Sequence, residues 1–448
     1  MTAPNNQGNL FKNFFSQSLL QIANNLLPFI SIPIIVRIIG PDKYGVINFS
    51  TVVVSYFIML INYAFDLTAT RAIAMKRDDE QARSQIFNTV LIARIFLFFV
   101  SVAIFAVLIC IMPPLYREKE VAIYTFLIVI SFVLTPTWLF QGMQELYNVA
   151  IFNFITKLLF TVCVVIVIRQ KEDYIWQPLL ISIAHILVGI GAFIWAVKKY
   201  AIRIYYVPLK KVLHHIYNER IMFFSFVSIN IYIYASAVIL GLVRTPSDVA
   251  FFTAGYRLVT IMHTIVTIPL GMSLFPYIGE NFAISREQGL ERVRITAPFV
   301  FYLTLVMGIG VWLFSPIIIK LIYGQAFVPA IGVLRILCFL PVALGLSNLL
   351  GVQTMVNLNM DKPYSRIIVW GSVFGVGLSL WLAREFNYIG GAWALLLTEI
   401  FIVVLELMYL KKKQISLINT AYFRPAYVSD TIRPFMIKIK KKLIKEKA

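Results

Sequence analysis

The sequence predicts an all-α polytopic membrane protein, and three observations carry that prediction. Apolar runs of membrane-spanning length recur along the whole chain. Charged residues fall between the runs, and basic residues crowd into alternate connections. Of 448 residues, 60% are AVILMFWYC and 14% are charged, with a mean hydropathy of +0.82, whereas a soluble domain carries about 25% charged residues. A helix needs about 20 residues to cross about 30 Å of hydrocarbon. Only a structure that satisfies its own backbone hydrogen bonds is stable there.

The elements follow in chain order. Residues 13–36 are 24 residues without a charge, and 44–65 are 22 more. The polar turn Gly40-Pro41-Asp42-Lys43-Tyr44-Gly45 separates them, which predicts spans at 15–36 and 46–65. Arg71, Lys76, Arg77 and Arg83 close this unit and mark a cytoplasmic end. Spans at 86–112 and 121–140 flank a turn with Arg117 and Lys119, and spans at 149–168 and 179–197 flank Arg169 and Lys171. The longest internal connection, 198–220, contains Pro208 and the pairs Lys198-Lys199 and Lys210-Lys211. It reads as a basic cytoplasmic domain linker, partly an amphipathic surface helix, with a specific anionic-lipid or partner contact as the alternative; the basic tail after residue 410 is expected to lie against anionic membrane lipids. Spans at 221–242, 250–278, 297–320, 329–349, 367–382 and 391–410 complete a set of twelve. The expected domains are a six-helix bundle at 1–197, the linker at 198–220, a second six-helix bundle at 221–410 and a basic cytoplasmic tail at 411–448.

Charge sets the orientation. With the N-terminus inside, inner segments hold 27 Lys and Arg and outer turns hold 9. Both termini are therefore expected in the cytoplasm. The first span lacks a short signal-peptide pattern and is expected to stay as an anchor. The net charge of +19 is explained by orientation, so no nucleic-acid partner is expected. The halves also echo each other. Pro41-Asp42-Lys43-Tyr44-Gly45 follows span one, and Pro246-Ser247-Asp248-Val249-Ala250 follows span seven. Two halves in the same orientation are a common transporter plan.

Polar groups at membrane depth are expensive and mark cavities or bundle interiors. Arg94 and Lys157 lie inside spans three and five, where lining a cavity and snorkelling to the interface both remain open. Arg257, His263 and Arg335 form a candidate basic lining in spans eight and ten, and His185 lies in span six. Gln17, Gln21, Asn24 and Asn25 put four amides in span one; Gln17, Gln21 and Asn24 form a ridge by helical spacing. Such a ridge suits sugar hydroxyls, water or an interhelical hydrogen bond. Glu399 is in mid-span with Glu406 seven residues on; it is a candidate for ion or proton coupling, or the partner of a buried base. Asp66 ends span two and is a second coupling candidate, with Arg71 or a cytoplasmic neighbour as its expected partner. Pro28, Pro33, Pro136, Pro269, Pro276, Pro298, Pro316 and Pro341 predict kinks.

Enzymatic chemistry has no footing in these residues. There is no GxxxxGK[ST], H-E-x-x-H or G-x-S-x-G pattern. Cys110, Cys163 and Cys338 all sit in apolar runs, and none forms a CxxC, so neither a metal nor another cofactor is expected.

Five stretches carry a family resemblance. They are Ile34-Ile35-Val36-Arg37-Ile38-Ile39-Gly40-Pro41-Asp42-Lys43-Tyr44-Gly45, Tyr63-Ala64-Phe65-Asp66-Leu67-Thr68-Ala69-Thr70-Arg71, Trp138-Leu139-Phe140-Gln141-Gly142-Met143-Gln144-Glu145, Ala254-Gly255-Tyr256-Arg257 and Phe275-Pro276. Over about residues 9–413 the chain resembles the polysaccharide-biosynthesis, O-antigen repeat-unit flippases of the multidrug/oligosaccharidyl-lipid/polysaccharide exporter superfamily. The resemblance implies two six-helix bundles around a central cavity in a bacterial inner membrane. It implies that undecaprenyl-pyrophosphate-linked oligosaccharide repeat units are moved to the outer leaflet, in partnership with polysaccharide polymerase machinery. A pyrophosphate head would then meet Arg94, Lys157, Arg257 and Arg335. The alternative is a cation-coupled exporter of drugs, or a flippase for another lipid-linked cell-wall precursor.

Overall fold

The computed structural model describes residues 6–417 and 422–423. For residues 6–26, 28–29, 221, 225–226, 228–229, 268–269 and 272–273 it describes the backbone alone. Every regular element among the described residues is helical.

Helix α1, Asn6–Asn62, has 57 residues, which would measure about 85 Å if straight and so about twice the bilayer. It leaves helical geometry at Gly40 (φ 74°, ψ 173°), inside the predicted polar turn. A side chain there would be strained, whereas glycine takes a positive φ freely. After Tyr63 and Ala64, both at positive φ, α2 runs over Phe65–Met75. Asp79 caps α3, Glu80–Ile111, by accepting the Ala82 amide at 2.9 Å.

The next predicted span is not one helix. After the short helix α4 (Pro113–Arg117) in the turn, it is divided among α5 (Lys119–Phe126), α6 (Ile128–Leu134) and α7 (Thr137–Gly142). The break between α6 and α7 falls at Pro136, which has no amide to continue the ladder. Helix α8 covers Leu146–Val167, and α9 covers Trp176–Lys199 after the 3₁₀ turn Lys171–Ile175. Helix α10, Leu209–Val243, begins after Pro208.

Helix α11, Pro246–Met262, passes through a π turn at His263–Thr267 into α12, Ile268–Ile284. Pro269 lies two residues past the π turn, and the ladder that loses its amide changes partners there. Helix α13 spans Arg286–Ile322, and α14 and α15 span Ala330–Leu337 and Leu340–Ser347. A π stretch, Asn348–Val356, follows. Helix α16, Asp361–Lys412, has 52 residues and breaks at Phe386 and Asn387. Among the described residues, nine helices are long and apolar enough to cross a membrane, and Asn230–Val243 is a shorter apolar helix.

The helices gather into two compact units. The first takes the chain to residue 254, with 317–330 and 383–391; the second takes 255–316, 331–382 and the chain from 392. In the first unit, α1 packs on α8 and α5, α6 on α9, and α2 on α7. Phe57, Phe105 and Phe126 form a ring cluster, with Phe105 stacked on Phe126 at 4.2 Å. At the Gly40 end, Tyr44 packs on Phe327 with ring centroids 5.7 Å apart, and Arg37 donates to the Leu321 carbonyl at 2.7 Å. A Cβ at Gly45 would overlap the Pro246 carbonyl, so the two proline turns that echo each other in sequence are in direct contact. In the second unit Phe374 stacks on Phe401 at 4.2 Å, and Gly255 packs against Val333. Large apolar side chains such as Phe99, Ile166, Leu321 and Trp381 are exposed, which suits a lipid solvent.

Candidate substrate cavity

A polar cavity of about 280 Å³ lies inside the first unit. Its walls are Asn62 of α1, Asp66 of α2, Thr135 and the α7 residues Thr137 and Gln141, Asn153 and Thr156 of α8, and His185 of α9. Five apolar helical segments thus turn amides, hydroxyls, an imidazole and a carboxylate toward one space. In hydrocarbon each group would cost several kcal/mol unsatisfied, so their convergence indicates a wet interior.

Arg94 fixes this cavity. The residue is 1% exposed, on the buried stripe of α3. Its Nη2 reaches Asp66 Oδ1 at 3.1 Å and Asn62 Oδ1 at 3.3 Å. Its Nη1 donates to the Phe132 carbonyl at 2.9 Å and the Thr135 carbonyl at 3.1 Å. The Phe132 contact has a sequence-level cause. In a continuous helix that carbonyl would accept the amide four residues on, and that residue is Pro136. The guanidinium supplies the donor that proline lacks. Arg94 is therefore committed to helix and carboxylate, and it does not snorkel.

Asp66 pairs with Arg94 and not with the expected Arg71. Five residues along a helix rotate about 140°, so Arg71 leaves from another face of α2. The Asp66 side chain remains 41% exposed, and Thr137 Oγ1 donates to its Oδ1 at 3.4 Å. Thr70 Oγ1 donates to Gln141 Oε1 at 3.3 Å, tying α2 to α7 behind the cavity. His185 lies parallel to the Phe132 ring at 6.5 Å. Lys157 is half-buried on α8, next to the lining residue Thr156.

The remaining candidates lie elsewhere. The side chains of Gln17, Gln21, Asn24 and Asn25 lie outside the described residues. In the second unit, Arg257 is exposed on α11 and His263 is half-buried in the π turn. Arg335, half-buried on α14, donates from Nε to Ser315 Oγ at 3.1 Å and stands 4.9 Å over the Trp312 ring. Glu399 and Glu406 are buried at 3% and 0% exposure. Glu406 Oε1 accepts from Ser347 Oγ at 3.1 Å. Among the described residues, no three His, Cys, Asp or Glu side chains cluster to hold a metal.

Sequence reading missed Asn62, Thr135, Thr137, Gln141, Asn153 and Thr156 as cavity residues. The available signal was a cluster of small polar residues around Pro136, at a helix break.

Known proteins share this architecture. Residues 10–282 match the family described as Polysaccharide biosynthesis protein. A protein of Escherichia coli strain K12 named as an O-antigen transporter is 26% identical over 411 residues, covering 92% of this chain and 99% of that one. The lipid II flippase MurJ in an inward closed conformation superposes with a TM-score of 0.70 at 13% identity, covering 96% of this chain and 91% of that one. An inward-facing multidrug resistance MATE family transporter of the MOP superfamily also gives 0.70, at 14% identity, covering 90% of this chain and 95% of that one.

Proposed function

We propose that this chain, which belongs to the polysaccharide biosynthesis protein family and shares the fold of MOP-superfamily transporters, flips undecaprenyl-pyrophosphate-linked oligosaccharide repeat units across the bacterial cytoplasmic membrane for surface polysaccharide synthesis. The observation that carries this reading is the polar cavity of the first unit, where amides and hydroxyls surround the Arg94–Asp66 pair within apolar helices. Amides and hydroxyls exchange hydrogen bonds with sugar hydroxyls as readily as with water. Cations at membrane depth receive a pyrophosphate. Lys157 is the candidate for that role in the first unit, where Arg94 holds Asp66 in place; Arg257, His263 and Arg335 are separate candidates in the second unit, and Gln21, Asn24 and Asn25 add further amides. The polyprenyl tail stays in lipid.

The finer architecture follows the same reading. Dividing α1 and α16 at their breaks, and counting Asn230–Val243, turns nine candidate helices into twelve crossings. Two halves of six, joined by the linker at 198–220, then place both termini and the tail from 411 in the cytoplasm. The contact of Gly45 with Pro246 supports a shared side for those two turns. Anionic lipids and polysaccharide polymerase machinery are the remaining partners.

Asp66 favours a second reading. A partly exposed carboxylate in this cavity is a group that a cation-coupled drug exporter would use, and Glu399 offers another coupling site. The discriminating experiment is leaflet-specific labelling of lipid-linked glycan in a deletion strain. The flippase reading predicts repeat units built but confined to the cytoplasmic leaflet. Normal outer-leaflet glycan, with no redundant transporter present, would overturn it.

A further inference from the structure

The first unit holds a second cavity, larger than the one beside Arg94. It measures about 580 Å³ and opens where α2, α3 and the 205–219 segment meet. Its walls carry Lys76, Lys211 and His215 together with Gln85, Thr89 and Tyr205. Glu219 is the acid on this wall. We propose that this cavity is a binding site for the phosphate headgroup of an anionic phospholipid, distinct from the transport cavity. The inference uses the cytoplasmic placement of the 198–220 linker and is independent of what the protein transports.

The cavity is built by specific contacts. The extended strap before α10 is pinned to α3: Arg203 N donates to Ser84 Oγ at 3.1 Å, Tyr205 N donates to Asn88 Oδ1 at 3.1 Å, and Asn88 Nδ2 donates to the Arg203 carbonyl at 2.8 Å. Arg83 Nη2 holds the Tyr200 carbonyl at 3.1 Å. His215 stacks on Phe65 with centroids 5.7 Å apart and planes at 6°. Its Nε2 is buried and has no hydrogen-bond partner among the described residues. Helix α10 begins here after Pro208, without a side-chain cap. The amino-terminal end of α10 adds a partial positive charge beside the two lysines.

The surroundings favour a lipid over a soluble phosphate. Leu67, Met75 and Leu209 are exposed at 61%, 70% and 43%, and each adjoins a residue of the cavity wall in the chain. Tyr206, itself on the wall, is 76% exposed. A cationic recess with an exposed tyrosine on its wall and bare apolar residues next to it in the chain suits an amphiphile, with its phosphate beside the lysines and its acyl chains in the adjoining membrane.

The test is native mass spectrometry of the purified full-length protein with phosphatidylglycerol, phosphatidylcholine or inorganic phosphate added. The wild type should retain phosphatidylglycerol in preference to phosphatidylcholine. Affinity should fall about tenfold or more in Lys76→Gln/Lys211→Gln, since each lysine contributes to headgroup attraction. The control pair Lys362→Gln/Arg366→Gln should leave it unchanged. Lys211→Gln alone alters an exposed side chain that makes none of the strap's hydrogen bonds, and it should weaken binding about fivefold. Equal retention of both lipids, unchanged binding in Lys211→Gln, or an equal loss in the control pair would overturn the site. Retention of inorganic phosphate without a preference for phosphatidylglycerol would overturn the lipid assignment.

Discussion

Arg94 and Arg335 look alike in sequence, each a lone cation within an apolar run, yet the two units treat them differently. In the first unit Arg94 is 1% exposed and spends its guanidinium on two carbonyls, an amide oxygen and a carboxylate. In the second unit Arg335 stays half-buried, bonded to one hydroxyl and stacked over an indole, with donors to spare. The difference teaches that a basic residue at membrane depth has two uses. One repairs a broken helix and holds a carboxylate in place; the other leaves the charge half-buried against a hydroxyl and an indole. Arg94 combines the repair with a place behind the cavity wall.

The largest effect is expected at Arg94. Arg94→Leu leaves the Phe132 and Thr135 carbonyls without their donor, at about 1–3 kcal/mol each, while Asp66, 41% exposed, loses a partner that is worth less. Unfolding in detergent and the level of protein in membranes both report it. The helix-repair account makes a sharper claim. Pro136→Ala restores an amide that can serve the Phe132 carbonyl, so Arg94→Gln should cost about 1 kcal/mol less in that background than in the wild type. Strict additivity in this double-mutant cycle would break the comparison.

Next in size is Gly45→Ala. Its Cβ meets backbone, which cannot rotate away, so a loss of about 1–3 kcal/mol is expected from overpacking at the Gly45–Pro246 contact. Equal thermal stability of the variant and wild type would remove that contact from the account. Arg335→Lys should be milder. It keeps a cation near Trp312 but loses the fork, so stability should change by less than about 1 kcal/mol while polysaccharide export falls. An export defect proportional to lost stability would show Arg335 to be structural, like Arg94.

The smallest effect is expected at the Gly40 end. Lys43 bonds Glu118 at 3.2 Å and lies 4.2 Å from the Tyr174 ring centroid, while the Tyr174 hydroxyl donates to Glu118 at 2.7 Å. Burial works against the Lys43 ammonium, but the hydrogen bonds it donates to Tyr174 and Glu118 outweigh it and raise its pKa above the ordinary lysine value. The stabilisation is therefore fully present below that ordinary value and is lost as pH rises through the raised one. Glu118→Gln should cost about 0.2–1 kcal/mol at pH 7 and flatten the alkaline limb of a melting profile.

Much of the fold was legible because the membrane imposes one length scale and one backbone solution. Uncharged runs located the helices, and Gly40 located the break in α1. The break at Pro136 was legible as a kink, yet its consequence was not. Nothing in the spacing of Arg94 and Pro136 says that a guanidinium from α3 reaches the carbonyl left open in α6. The partner of Asp66 was missed for the same reason, since Arg71 is near in sequence but on another helix face. The π stretch over Asn348–Val356 and the strap that walls the Lys76–Lys211 cavity depend on contacts between distant segments. Local pattern does not encode them.

The proposed passage of a sugar-bearing pyrophosphate lipid between leaflets rests on the first unit's polar cavity. The direct measurement places purified protein in vesicles with native lipid-linked glycan and follows glycan exposure with a membrane-impermeant label under an ion gradient. Protein-dependent translocation is predicted, slowed by Asn153→Ala and Thr156→Ala at unchanged stability. Translocation equal to that of protein-free vesicles, together with uptake of small cationic drugs by the same vesicles, would contradict the account.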